Sequence, residues 1–103
     1  MELNLDLDKF DKLQRIFINQ LVETTMVKLT ENGLTGAQLE DATASVAFSI
    51  ASLIDDTTGI EEDGVEVKPY LTFREDEDKL VHCGENSYTY DMTMGAMKKL
   101  FHK

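Results

Sequence analysis

The sequence predicts a small α+β domain: an antiparallel two-helix hairpin packed on an antiparallel β-sheet of two or three strands and closed by a C-terminal helix, in the order α-α-β-β-(β)-α. Apolar residues recur at helical spacing up to about residue 57, and from residue 65 their period changes to two. With 103 residues, 42% of them hydrophobic, the chain has the size and composition of one domain, residues 1–103.

The first predicted helix begins near Asp8, a suitable N-cap, and ends near Asn32 and Gly33, which tolerate a left-handed backbone. Its apolar residues form two stripes about a quarter-turn apart, which predicts two packing partners for one helix. The first stripe is Phe10, Leu13, Phe17 and Leu21, and the second is Ile18, Val22, Met26 and Leu29.

The second predicted helix runs from about Thr35 to Asp56 and is apolar around most of its circumference. Its main stripe is Leu39, Ala42, Val46, Ile50 and Leu53, and Ala47, Ala51 and Ile54 widen that stripe on one side. The short connection between the helices predicts an antiparallel hairpin over residues 8–57. A chain of this length barely supplies the cover that such a helix needs, so we expect a homodimer.

A β-hairpin is predicted over residues 65–84, with Pro69 marking an edge strand or a bulge and the acids of residues 75–78 forming the turn. Ser87 to Tyr90 is a candidate third strand. A last helix is predicted over residues 92–102.

The net charge is −10, and most of the excess acid lies between residues 55 and 78. We therefore expect no direct binding to nucleic acid or to a membrane, because anionic partners need a basic surface. The start of the chain lacks the features of a signal peptide, and the longest apolar run is too short to span a bilayer, so the expected compartment is the cytoplasm. The single cysteine allows no internal disulfide.

No pattern of residues predicts catalysis, a cofactor or a metal ion. The acidic loop from Asp55 to Asp63 fits neither register of a calcium-binding EF-hand. His82 and Cys83 are neighbours in a predicted strand, so their side chains point to opposite faces and cannot act as a pair. Phosphate-binding and nucleophile-elbow motifs are missing from the sequence. Enzymatic activity is therefore not expected, and no catalytic, cofactor-binding or metal-binding residue is predicted.

Two groups of residues are candidates for binding. The first is apolar and is expected at an interface with a second subunit or a protein partner: Ile16, Ile18, Val22, Met26, Phe48, Met94, Met97 and Phe101. The second is expected to face a small ligand from the sheet: Tyr70, His82 and Tyr88.

These features favour a non-enzymatic, homodimeric protein-interaction or regulatory module. An alternative is an acidic mimic of nucleic acid that blocks a DNA- or RNA-binding protein. A further alternative is a small-ligand-binding protein whose site forms at the dimer interface.

Overall fold

A computed structural model describes residues 1–102 and confirms the α+β class. Within these residues, three helices and five short strands follow one another. They are β1 (Glu2–Leu5), α1 (Leu7–Glu31), α2 (Gly36–Ile54), β2 (Ile60–Glu62), β3 (Val65–Val67), β4 (Phe73–Asp76), β5 (Lys79–His82) and α3 (Thr89–Phe101).

The helices α1 and α2 form the predicted hairpin, and α3 packs against both. The N-cap of α1 is Asp6 and not Asp8, because the Asp6 side chain accepts a hydrogen bond from the Lys9 backbone N–H at 3.0 Å. Five buried residues from the three helices form their common core: Ile18, Val22, Ala47, Ala96 and Met97.

The third strand of the main sheet is β1, and the prediction of a strand at Ser87–Tyr90 is wrong. The order is β1-β5-β4, with β4 antiparallel and β1 parallel to β5, so the sheet is mixed. Thr89 instead begins α3, three residues before the predicted start. The reason is that side chains from α1 and α2 bind the backbone N–H groups of residues 88–90 as they would at a helix start.

The predicted long strand after residue 65 is two separate strands. Residues 65–67 form β3, which pairs with β2 in its own two-stranded sheet, and β4 begins at Phe73. Asp63 and Gly64 have φ angles of 51° and 80° at the turn between β2 and β3. The segment predicted as an acidic loop therefore ends in a β-hairpin.

The main sheet covers the first part of α1. Phe10, Val81 and Cys83 form a second buried cluster there, and the Phe10 and Phe73 rings lie 5.3 Å apart. No helix within residues 1–102 is both long and apolar enough to cross a membrane.

Candidate functional site

One candidate interaction surface lies on α2. This helix packs into the protein through small side chains, since Thr43, Ala47 and Ala51 are fully buried. Its large apolar side chains face solvent instead: Val46 is 40%, Ile50 37% and Leu53 45% exposed. We call Leu39, Ala42, Val46, Ile50 and Leu53 the α2 flank.

The third helix lies on the side of α2 opposite to Val46 and Ile50. Phe48 stacks on Tyr90 of α3 with ring centroids 4.7 Å apart, which places α3 on the Phe48 side of α2. Residues two positions apart on a helix point to nearly opposite sides, so Val46 and Ile50 point away from α3. Helix geometry places the half-exposed Phe17 of α1, which contacts Phe73 edge-on, on the same open side of the hairpin. This side of the hairpin therefore carries partly exposed apolar side chains from both helices.

The α2 flank carries no charged residue, although 29% of the chain is charged. Its polar neighbours at the outer edge are Ser45 and Ser49, both exposed. Depletion of charge around exposed apolar side chains is typical of the centre of a protein interface.

The predicted interface residues fall into three groups in the structure. Ile18, Val22 and Met97 are buried in the chain's own core, so they offer no surface to a second subunit. Met26, Phe48 and Phe101 are half-buried, and Phe48 and Phe101 pack against that core. Ile16 of α1 and Met94 of α3 are exposed.

Sequence reasoning found the main stripe of α2 but omitted its members from the interface prediction. The sequence contains a signal for which side of α2 is exposed, because large apolar residues lie on one side of the helix and alanines lie on another. Small residues allow two helix backbones to approach closely, so the alanine side is the one that packs.

A buried polar cluster joins the end of α2 to the start of α3. The Asp55 side chain accepts hydrogen bonds from the Ser87 hydroxyl at 2.7 Å and from the Thr89 hydroxyl at 2.7 Å. It also accepts the backbone N–H groups of Thr89 at 2.8 Å and Tyr90 at 2.9 Å. Both carboxylate oxygens are thus occupied within the fold, which gives Asp55 a structural role.

Gln14 of α1 completes this cluster. It is fully buried, and its side-chain oxygen accepts the Tyr88 backbone N–H at 2.8 Å. Its side-chain nitrogen has no hydrogen-bond partner among residues 1–102. The sequence signal for this role is a glutamine placed between Phe10 and Ile18 at the spacing of one helix face.

Tyr88 was predicted to face a ligand from the sheet, and the structure places it outside the sheet, directly before α3. It is half-buried before α3, and its hydroxyl donates to the Asp11 carboxylate at 2.8 Å. This bond and the neighbouring Arg15 lower the pKa of Asp11, while burial and the Asp11 carboxylate raise the pKa of Tyr88 to about 12. Tyr88 is thus held inward by α1.

Tyr70 and His82 are brought together on the sheet. The Tyr70 hydroxyl lies 2.7 Å from His82 Nδ1, and the Gly84 backbone N–H donates to the same nitrogen at 3.2 Å. A nitrogen that accepts the Gly84 N–H carries no proton, so Tyr70 also donates to it, and the proton of the neutral ring lies on Nε2. Cys83, on the opposite face, is buried and donates its thiol to the Glu85 carbonyl.

Within the described part of the chain, no three His, Cys, Asp or Glu side chains are grouped so that they could hold a metal ion. Compared with known proteins, the chain matches no family model, no curated protein and no solved structure.

Proposed function

We propose that this protein is a non-enzymatic, homodimeric protein-interaction or regulatory module whose subunits meet through the α2 flank. One observation carries the proposal: α2 buries its small residues and exposes Val46, Ile50 and Leu53. Removing apolar surface from water contributes about 25 cal/mol per Å², so contiguous exposed side chains of this size favour association.

The absence of charge on the flank supports a second copy as the partner. Two chains that each carry a net charge of −10 repel one another wherever their acids meet. The α2 flank lets them meet without opposed carboxylates. A basic partner would gain nothing from this surface, because it offers no acid to bind.

A two-fold symmetry axis near Val46 would bury the α2 flanks of both subunits in one interface. In such a dimer each subunit contributes the same surface to the interface. The assembly is closed, because neither subunit keeps a free α2 flank that could bind a third copy. The α1–α2 hairpins of the two subunits would then form a four-helix arrangement around the axis.

A matched pair of substitutions tests this proposal. Val46 on the flank and Val27 on the outer side of α1 are 40% and 41% exposed. Val46→Asp should raise the dimer dissociation constant at least about tenfold, which corresponds to about 1.4 kcal/mol, because it places a desolvated charge near the axis. Val27→Asp should leave it unchanged. Equal effects of the two substitutions in sedimentation equilibrium would contradict the proposed interface.

The alternative, an acidic mimic of nucleic acid, draws support from the β2–β3 hairpin. Glu61, Glu62, Asp63 and Glu66 are all exposed there. If this function is correct, the protein should compete with duplex DNA for a basic DNA-binding protein, and changing the three glutamates to glutamine should abolish the competition. Unchanged competition would contradict it.

We also propose the cytoplasm as the compartment. A chain with one buried cysteine does not rely on a disulfide for stability, which suits a reducing compartment.

A further inference from the structure

The strand β1 has a free edge. It pairs only with β5 among the described strands, and it lies at the end of the order β1-β5-β4. The backbone N–H groups of Glu2 and Asp6 donate toward β5, to Asp78 at 2.6 Å and to His82 at 3.2 Å. Because alternate residues of a strand turn their backbone groups to opposite edges, Leu3 and Leu5 direct theirs outward.

The two leucines also present apolar side chains beside this edge. Leu3 is 54% and Leu5 61% exposed. They are in register with Leu80 and His82 of β5, on the face opposite the buried Val81. A strand added at this edge would therefore find an apolar row on the outer face of the sheet.

The edge strand β1 is four residues long, and Glu2 is its one charged residue. Natural edge strands are commonly blocked by a lysine, a proline or a bulge, and residues 2–5 contain none of these. An edge that is both unpaired and apolar is a template for strand addition.

The charges around the edge indicate which kind of strand fits. Glu2 and Asp6 lie two positions on either side of Asn4; Asp6 follows the strand, and its Oδ1 also caps α1. A second copy paired antiparallel about Asn4 would place Glu2 opposite Asp6 of its partner, and like charges directly opposite each other are destabilising. Lysine or arginine at those two positions of an incoming strand would instead meet an acid at each end.

We propose that the free edge of β1 binds an extended segment of a partner protein with the pattern basic-apolar-polar-apolar-basic. Its apolar residues lie opposite Leu3 and Leu5, and its basic residues lie opposite Glu2 and Asp6. Main-chain hydrogen bonds to Leu3 and Leu5 supply affinity, and the alternating side chains supply selectivity. This site lies on the sheet and does not depend on the α2 flank.

A short peptide tests the pattern directly. The blocked peptide Thr-Lys-Val-Thr-Val-Lys-Thr reads the same in both directions, so it presents the pattern whether it adds parallel or antiparallel. We expect saturable binding by calorimetry, weakened at least tenfold when both lysines are glutamates. Raising the salt from about 0.1 M to about 1 M should also weaken binding, because the charges are exposed. Absence of binding by the lysine peptide, or equal binding of both peptides, would overturn the proposal.

Substitutions in the strand locate the site. Leu5→Pro removes an outward N–H that the internal ladder does not use, so it should reduce peptide binding at least tenfold. Leu7→Pro is the matched control, since Leu7 is the first residue of α1, where proline is favoured, and binding should be unchanged. If Leu5→Pro perturbs the fold, Leu3→Lys tests the same edge, because it replaces the apolar contact with the peptide valine opposite while all backbone groups remain.

The outcomes also separate this proposal from the proposed dimer. Equal peptide binding by wild type, Leu5→Pro and Leu3→Lys would overturn the β1 site and leave the α2 flank untouched. Conversion of a dimer to a monomer by Leu3→Lys would show that a second copy occupies the edge, which would also overturn it. Loss of dimer in Val46→Asp, with peptide binding unchanged, is the expected result if both proposals hold.

Discussion

The Asp55 carboxylate, at the end of α2, binds both the backbone N–H and the hydroxyl of Thr89, the first residue of α3, at 2.8 and 2.7 Å. The residue before Thr89 provides no capping side chain of its own. The carboxylate at the end of α2 therefore caps the N-terminus of α3. Its negative charge lies at the positive end of the α3 dipole, which is favourable. This contact joins the two ends of the segment that leaves α2, forms strands β2 to β5 and returns to α3.

Removing this carboxylate should destabilise the protein strongly. Asp55→Ala removes the acceptor of the Ser87 hydroxyl and of the Thr89 and Tyr90 backbone N–H groups, so we expect the free energy of unfolding to fall by about 2–4 kcal/mol. The exposed Asp41 of α2 is the control, and Asp41→Ala should change stability by less than about 0.5 kcal/mol. Urea denaturation measures both. Similar values for the two variants would contradict a capping role.

Tyr88→Phe should change the pH dependence of stability in two windows. The fold lowers the pKa of Asp11 through the Tyr88 hydroxyl and Arg15, so this contribution is complete above the ordinary aspartate pKa of about 3.9 and is lost as the pH falls further. The fold raises the pKa of Tyr88 to about 12, so its contribution is complete below about pH 10 and is lost between 10 and 12.

The stability difference between wild type and Tyr88→Phe should therefore be largest near neutral pH and smaller at both extremes. Urea unfolding across the pH range measures it. Ultraviolet titration of the variant should also lose the tyrosine that ionises near pH 12. A difference independent of pH would show that the hydroxyl does not interact with Asp11.

The His82 ring should carry its proton on Nε2 when neutral. Nδ1 accepts the Gly84 N–H at 3.2 Å and lies 2.7 Å from the Tyr70 hydroxyl. Tyr70→Phe should keep this tautomer, since the Gly84 bond remains. Nitrogen chemical shifts of the ring distinguish the two forms, and a proton on Nδ1 in the wild type would contradict the geometry.

The β2–β3 hairpin should become more stable when one like-charged pair is removed. Glu61 lies directly opposite Glu66, whereas Glu62 lies opposite Val65. Glu61→Lys should slow amide exchange in residues 60–67 by an amount equivalent to about 0.2–1 kcal/mol, and Glu62→Lys should have a smaller effect. The opposite ranking would indicate that the pairing register is different.

The helices were predictable because their signals are local. A long apolar period, the N-cap candidates and the Asn32-Gly33 stop place α1 and α2 within about two residues of their observed bounds. The strand β1 was missed because it has only four residues, too few for a periodic pattern. Its partner, β5, follows α1, α2 and three other strands, so no local signal connects the two. The β2–β3 hairpin had a local signal in Asp63-Gly64, a dipeptide that favours tight hairpin turns, but its acids were interpreted as a loop.

The candidate site was only partly predictable. The sequence identified a helix with excess apolar surface, but periodicity does not say which side faces the core. That choice depends on how closely α1 and α3 approach α2, which the buried Ala47 and Ala51 permit. The pairing of Tyr70 with His82 likewise depends on the path of the chain around Pro69, which no local pattern specifies.

The mass of the protein in solution, measured by light scattering across protein concentrations and at low and high salt, tests the central proposal most directly. Association through the uncharged α2 flank predicts a salt-resistant particle of twice the 11.6 kDa chain mass, which Val46→Asp converts to the single-chain mass. A wild-type protein that stays at 11.6 kDa at every concentration would contradict the proposed dimer.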